Sequence, residues 1–114
     1  MAGYCGTILR VNLTDGTIGK ETLDMEVAKK FVGGRGLGTY ILSQEIDPAI
    51  EPLSAENKLI FATGPLTGSQ APTSARYMVV TKSPLSGTVA SSNSGGFWGP
   101  ELKKAGIDQW HCHV

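Results

Sequence analysis

Cysteine is scarce in this sequence: Cys5 and Cys112 are the only two among 114 residues, and they stand near opposite ends. That usage argues against a disulfide framework and for two reduced thiols. Aromatic residues make up only 7% of the chain, so few rings are available to fill a core. An excess of either charge is missing too. Ten basic residues balance ten acidic ones, leaving no global field to attract a nucleic-acid backbone or an anionic membrane, and neither is expected as a partner. Apolar residues nowhere run to the roughly 18 that a spanning helix needs, and Met1 to Cys5 has no basic stretch followed by an apolar one. The expectation is a soluble, cytoplasmic protein.

Glycine is abundant, at 15 residues, beside six prolines, which predicts many tight turns and close backbone approaches. With 40% hydrophobic residues the chain is long enough to close one core and too short for two. From Cys5 to Leu13 the alternation of Leu9, Val11 and Leu13 with Arg10 and Asn12 has the two-residue period of a strand. Thr14-Asp15-Gly16 supplies a hairpin turn into a second strand over 17–23. Asp24 suits a helix N-cap, and Val27, Ala28, Phe31 and Val32 share one helical stripe that ends at Gly33-Gly34. Leu37, Tyr40 and Ile41 repeat at helical spacing through Ile46, before Pro48 and Pro52 forbid continuation. Strands are predicted over 58–63, 77–82 and 88–92, and a last helix carries Trp98, Leu102 and Ala105 before Gly106. Strands, helices, strands and a helix in that order make an α+β domain.

Two segments have the composition of a ligand site. One is the small-residue loop 64–74, delivered into Arg76, whose guanidinium presents a fork matched to phosphate oxygens. Its ordinary alternative is a turn followed by a solvated edge arginine. The other is Ser91-Ser92-Asn93-Ser94-Gly95-Gly96 leading into the last helix, where glycines expose free amides to an anion. There the ordinary alternative is a helix cap at Asn93 or Ser94 with a glycine turn. Gly33-Gly34-Arg35-Gly36-Leu37-Gly38 is not a dinucleotide loop, because Thr39 occupies the third glycine position and the segment follows a helix. His111 and His113 fall on one side of an extended tail, but two histidines without a second cluster do not make a zinc site. Cys5, with no cationic neighbour in sequence, is expected to be a small buried apolar residue.

Several segments in order resemble one family. They are Gly6-Thr7-Ile8-Leu9-Arg10-Val11-Asn12-Leu13, Gly33-Gly34-Arg35-Gly36-Leu37, the stretch from Pro52 to Ile60, Gly64-Pro65-Leu66-Thr67-Gly68, Arg76-Tyr77, Thr81-Lys82-Ser83-Pro84 and Asn93-Ser94-Gly95-Gly96. Together, from about Tyr4 to Asp108, they are similar to the start of the tungsten-containing aldehyde ferredoxin oxidoreductases. The resemblance implies a first domain forming a two-sheet base for a tungsten, or molybdenum, bis-pterin cofactor. It also implies a four-iron four-sulfur cluster held elsewhere, and oxidation of an aldehyde to an acid with ferredoxin as acceptor. It further implies that Arg76 contacts pterin phosphate and that Asn93 gives a main-chain carbonyl to a bridging magnesium ion. Ser94, Gly95 and Gly96 belong to the same cofactor-binding segment, Gly95 as a backbone contact.

The resemblance divides the chain into an amino-terminal pterin-cradling domain over 1–108 and a divergent tail over 109–114. Family members are several times longer, and the cluster cysteines, second pterin motif and substrate pocket fall outside the matched stretch. The chain is therefore expected to be an incomplete first domain, not catalytic alone and completed by further domains or a second chain. Truncation, a shifted reading frame and a short product in its own right all fit the tail. A stand-alone phosphate or nucleotide binding module and a non-catalytic remnant or interaction domain remain as alternatives.

Overall fold

A computed structural model describes residues 3–114; the first two residues of the expected 1–108 segment lie outside the described residues. The alternating amino-terminal residues form β1 (Thr7–Asn12), and the Asp-Gly turn returns the chain into β2 (Ile18–Thr22). Asp24 caps α1 (Met25–Phe31) by accepting from the Glu26 amide at 2.9 Å. Then come α2 (Gly34–Glu45), β3 (Lys58–Ala62), β4 (Tyr77–Lys82), β5 (Val89–Ser94), α3 (Trp98–Lys104) and β6 (Gln109–His113). The α+β class holds.

All the strands join one sheet in the order β2-β1-β6-β3-β4-β5. The resemblance implies a two-sheet base for a whole first domain; the described residues form one mixed sheet, and β6 is what joins it. The tail inserts between the β1-β2 hairpin and the β3-β4-β5 meander, parallel to β1 and antiparallel to β3. Two groups of strands that local pattern leaves separate thus become one. The register places Ile60 opposite His111 and Phe61 opposite Trp110, so Gln109 and His111 lie on one face of the sheet and Trp110 and Cys112 on the other.

The core is built on the first face. Ile8, Ile60, Ala62, Met78 and Val80 meet Leu37, Ile41 and Leu42 of α2 and Ala28 of α1. α2 lies close to the strands because Gly38 has no side chain: a Cβ there would stand 3.1 Å from Val80 Cγ2. The second face carries the rings. Phe61, Tyr77 and Trp110 project from three adjacent strands and pack with Trp98 of α3, the Tyr77 and Trp98 centroids 4.5 Å apart.

Other differences from the sequence reading have local causes. α2 begins at Gly34, three residues before Leu37, with its first turn anchored by the Gly34 amide on the Thr63 carbonyl at 2.9 Å. β5 continues two residues past Ser92, because Asn93 and Ser94 still pair with Met78 and Tyr77. Cys5 is exposed rather than buried. Its thiol is held above the ordinary range by partial burial and by the Asp108 charge, so it stays protonated at neutral pH. No described helix is long and apolar enough to cross a membrane.

Candidate functional site at the β4–β5 margin

One buried side chain, Thr67, spans the turn from β3 to β4. The Thr67 hydroxyl accepts from the Gly64 amide at 3.0 Å and donates to the Arg76 carbonyl at 3.2 Å, tying the two ends of the small-residue loop together. The Gly68 amide donates to the Ser74 carbonyl at 2.8 Å inside it. Gly99 of α3 packs on the same threonine, since a Cβ at Gly99 would come within 3.2 Å of its methyl group. Loop, Arg76 backbone and α3 are therefore held by Thr67. Sequence reasoning missed this residue; the available signal was a β-branched hydroxyl residue enclosed between glycines.

Arg76 leaves that loop one residue before β4, exposed, and its Nη1 donates to the Asn93 side-chain oxygen at 3.1 Å. The two candidate segments, 17 positions apart, are thus brought into contact. The antiparallel register does this: Met78 pairs with Asn93 and Tyr77 with Ser94. Residues paired across an antiparallel ladder share a face. Asn93 therefore projects from the helical face beside Arg76, whereas Ser94 projects from the ring-bearing face and does not join them. Gly95 and Gly96 follow as the turn into α3. Gly96 sits at φ +85°, where a side chain would be strained, and a Cβ at either glycine would meet nothing within 4 Å. The turn is thus open where side chains would otherwise stand. The helix cap is Phe97, 86% exposed and offering no side-chain bond, so neither Asn93 nor Ser94 serves as the cap.

Beside this margin the joint after α1 is docked onto the segment that follows β3. Gly33 lies so close to the Thr63–Pro65 backbone that a Cβ would stand 2.8 Å from Gly64 Cα. Arg35 is exposed in the first turn of α2. Among the described residues no group of three or more metal-ligating side chains occurs. Any ion at the margin must come with its own ligands or use main-chain oxygens.

Two further clusters were invisible in the sequence. Asp108, 2% exposed, accepts from the Cys5 and Gly6 amides at 3.0 and 2.6 Å and from Lys103 Nζ at 2.8 Å. Under the other end of the sheet Arg10 pairs with both Glu21 and Glu45, and Lys58 reaches Glu45 at 3.4 Å. Burial alone would raise the Glu45 carboxyl, but the Arg10 hydrogen bond and charge, with Lys58, hold it below its usual value. His111 is fully buried, 2.8 Å from Gln109 Oε1. Burial pushes its pKa down to about 4 despite the nearby Glu45 charge, so it is neutral at pH 7.

The fold and this margin define an α+β domain that presents one arginine, one asparagine and a glycine turn at the edge of a mixed sheet. Comparison with known proteins makes the class specific: residues 8–111 match the model of the aldehyde ferredoxin oxidoreductase N-terminal domain, and the chain belongs to that family. It is 65% identical over 108 residues to the tungsten-containing aldehyde ferredoxin oxidoreductase of Pyrococcus abyssi, and 57% identical to that of Pyrococcus furiosus. Each alignment covers 95% of this chain and 18% of the relative. A WOR-like subunit of an aliphatic sulfonate oxidoreductase from Pyrococcus furiosus is 43% identical over 111 residues. Among solved structures, the BamBC active-site complex of benzoyl coenzyme A reductase superposes with a TM-score of 0.95 at 40% identity, over 98% of this chain and 17% of that one. The chain thus spans less than a fifth of the length of the relatives it matches.

Proposed function

We propose that this chain is the amino-terminal, cofactor-cradling part of an oxidoreductase that oxidises aldehydes to carboxylic acids with ferredoxin as electron acceptor. Its task is to supply half of the phosphate-binding site of a tungsten, or molybdenum, bis-pterin. The observation that carries this reading is the Arg76–Asn93 contact at 3.1 Å beside the open Gly95-Gly96 turn. These residues fit the phosphate end of such a group: an exposed guanidinium, held by one arm and free at the other, accepts phosphoryl oxygens, and glycine amides can approach them closely. Asn93 would offer its main-chain carbonyl to a magnesium ion accompanying the phosphate.

When bound, the tungsten-pterin group supplies the two-electron chemistry, and the protein supplies binding and orientation. Arg76 neutralises phosphate charge, the Gly95 and Gly96 amides fix its position, and Thr67 keeps the Arg76 backbone in place. The remaining domains or a completing chain provide the four-iron four-sulfur cluster, the substrate pocket and the ferredoxin contact in the cytoplasm. Relatives named for an aldehyde, an aliphatic sulfonate and benzoyl coenzyme A share this domain. That spread supports a part that holds the cofactor without choosing the substrate.

The test is Arg76→Ala in the assembled protein, with tungsten and organic phosphate measured per polypeptide. Loss of at least about tenfold in both is expected when a charge-assisted phosphate contact is removed. Cofactor content equal to that of the unsubstituted protein would count decisively against the assignment.

A further inference from the structure

Only two non-glycine residues among the described residues adopt positive φ, Val32 at +67° and Thr73 at +58°. They lie far apart in sequence, yet both line the same open cavity of about 250 Å³, and Arg76 lines it too. Val32 is a β-branched residue at the centre of a γ-turn, with ψ at −66° and the Gly33 amide donating to the Phe31 carbonyl at 2.8 Å. A valine resists that conformation more than almost any other residue. The residue is 56% exposed, so core packing does not explain why valine stands there. The strained turn is held from behind by the Tyr4 hydroxyl, which donates to the Val32 carbonyl.

Strain of this kind persists where the surroundings over-determine it, and it gathers at ligand sites. The cavity lining mixes apolar Val32, Pro65 and Leu66 with polar Thr73 and Ser74 and cationic Arg76. The Thr73 hydroxyl donates to the Pro72 carbonyl at 2.6 Å and that of Ser74 to the Ser69 carbonyl at 3.1 Å. Rotation about one bond frees either donor for a ligand oxygen. A free inorganic phosphate would use only the polar groups; a phosphomonoester of a flat heterocycle would use the apolar ones as well.

We infer that Val32 and Thr73 are ligand-contacting residues, the valine packing on the organic part of a phosphorylated heterocycle and the threonine donating to its phosphate. The inference rests on the proposed role of Arg76 and deepens it, naming the groups that would tell the phosphate's carrier from phosphate alone. Relieving the strain should then weaken binding without weakening the fold. That is a pattern a purely structural residue does not give.

The experiment compares the unsubstituted chain with Val32→Gly, Thr73→Gly and Arg76→Ala, by thermal melting without ligand and by titration with inorganic phosphate and with guanosine 5′-monophosphate. The nucleotide serves as a soluble phosphate ester of a flat, pterin-like ring. Val32→Gly is expected to melt no lower than the unsubstituted chain, to bind inorganic phosphate equally well, and to lose about fivefold in affinity for the nucleotide. Thr73→Gly is expected to melt no lower and to lose about fivefold for both ligands. Arg76→Ala should lose at least about tenfold for both. If Arg76→Ala weakens both ligands while the two glycine variants bind as the unsubstituted chain does, the inference fails and the phosphate reading stands. If Arg76→Ala binds normally, or the unsubstituted chain binds neither ligand, both fall. Lower melting temperatures with equal losses for both ligands in Val32→Gly would make the valine a structural residue and overturn its assignment.

Discussion

Asp108 is the residue whose removal should damage the fold most for its size. Its carboxylate accepts from two backbone amides, Cys5 and Gly6, and pairs with Lys103, whose side chain is 9% exposed. These partners join the start of β1 to the end of α3, segments about a hundred positions apart in sequence. Asp108→Ala leaves an ammonium group with little access to water and two amides without their acceptor. Breaking a buried ion pair from one side costs about 3–5 kcal/mol, and each enclosed amide left unpaired adds about 1–3 kcal/mol. Cys5 is exposed, so water can replace its acceptor, and Lys103 keeps the Gly3 carbonyl as a partner; the low end of these figures, a total near 4 kcal/mol, is expected. A chain of 114 residues is stable by roughly 6–17 kcal/mol, so the variant should remain folded but marginal. Urea melts of the unsubstituted chain, Asp108→Ala, Lys103→Met and the double variant Asp108→Asn/Lys103→Met provide the assay. The double variant removes both charges and keeps one acceptor for the amides, so it should recover about half of the loss. A loss below about 1 kcal/mol for Asp108→Ala would refute the reasoning, because it would mean that the carboxylate is replaceable by solvent.

The remaining predictions concern pH, the loop and the helix contact. His111 has its folded pKa depressed to about 4 and Glu45 has its own lowered, so in both cases the unfolded chain binds protons first on acidification. Stability should be level above about pH 6.5 and fall as pH drops toward 4, with His111 contributing on the order of 3 kcal/mol to the fall; His111→Gln in an equilibrium melt at each pH should flatten it. Thr67→Val and Thr67→Ser should each cost about 1–2 kcal/mol in urea melts, through the lost hydroxyl and the lost methyl respectively. Only Thr67→Val should also weaken phosphate binding, because only it releases the Arg76 carbonyl. Gly38→Val should destabilise by about 1–3 kcal/mol, measured the same way, since its Cβ alone would stand 3.1 Å from Val80 Cγ2 and the added methyls crowd further.

Residues whose neighbours in space are also neighbours in sequence were the legible ones. The Thr14-Asp15-Gly16 hairpin, the Asp24 cap and the Gly106 stop follow from local chemistry and reappear in β1-β2, α1 and the end of α3. β6 did not follow. A strand placed between two others and packed on both faces usually shows a run of aliphatic residues, whereas Gln109-Trp110-His111-Cys112-His113 shows none. Buried nitrogens of Gln109, Trp110, His111 and His113 have no partner among the described residues, which is how far this strand departs from that pattern. The Arg76–Asn93 pair was legible as two separate phosphate candidates, but their contact depends on the β4–β5 register, which no local rule supplies. The same register moves Ser94 to the opposite face. Val32 was read only as part of a helical stripe; its left-handed backbone is imposed by the docking of Gly33 and Gly34 on the Thr63–Pro65 segment, a contact between distant parts of the chain.

The most direct measurement is an amide nuclear magnetic resonance titration of the chain with inorganic phosphate at low ionic strength. The account predicts that the largest shifts gather at Gly95, Gly96, Thr73 and the Arg76 side chain, saturate together, and vanish in Arg76→Ala. Shifts spread over the surface lysines, or a response that survives in that variant, would contradict it.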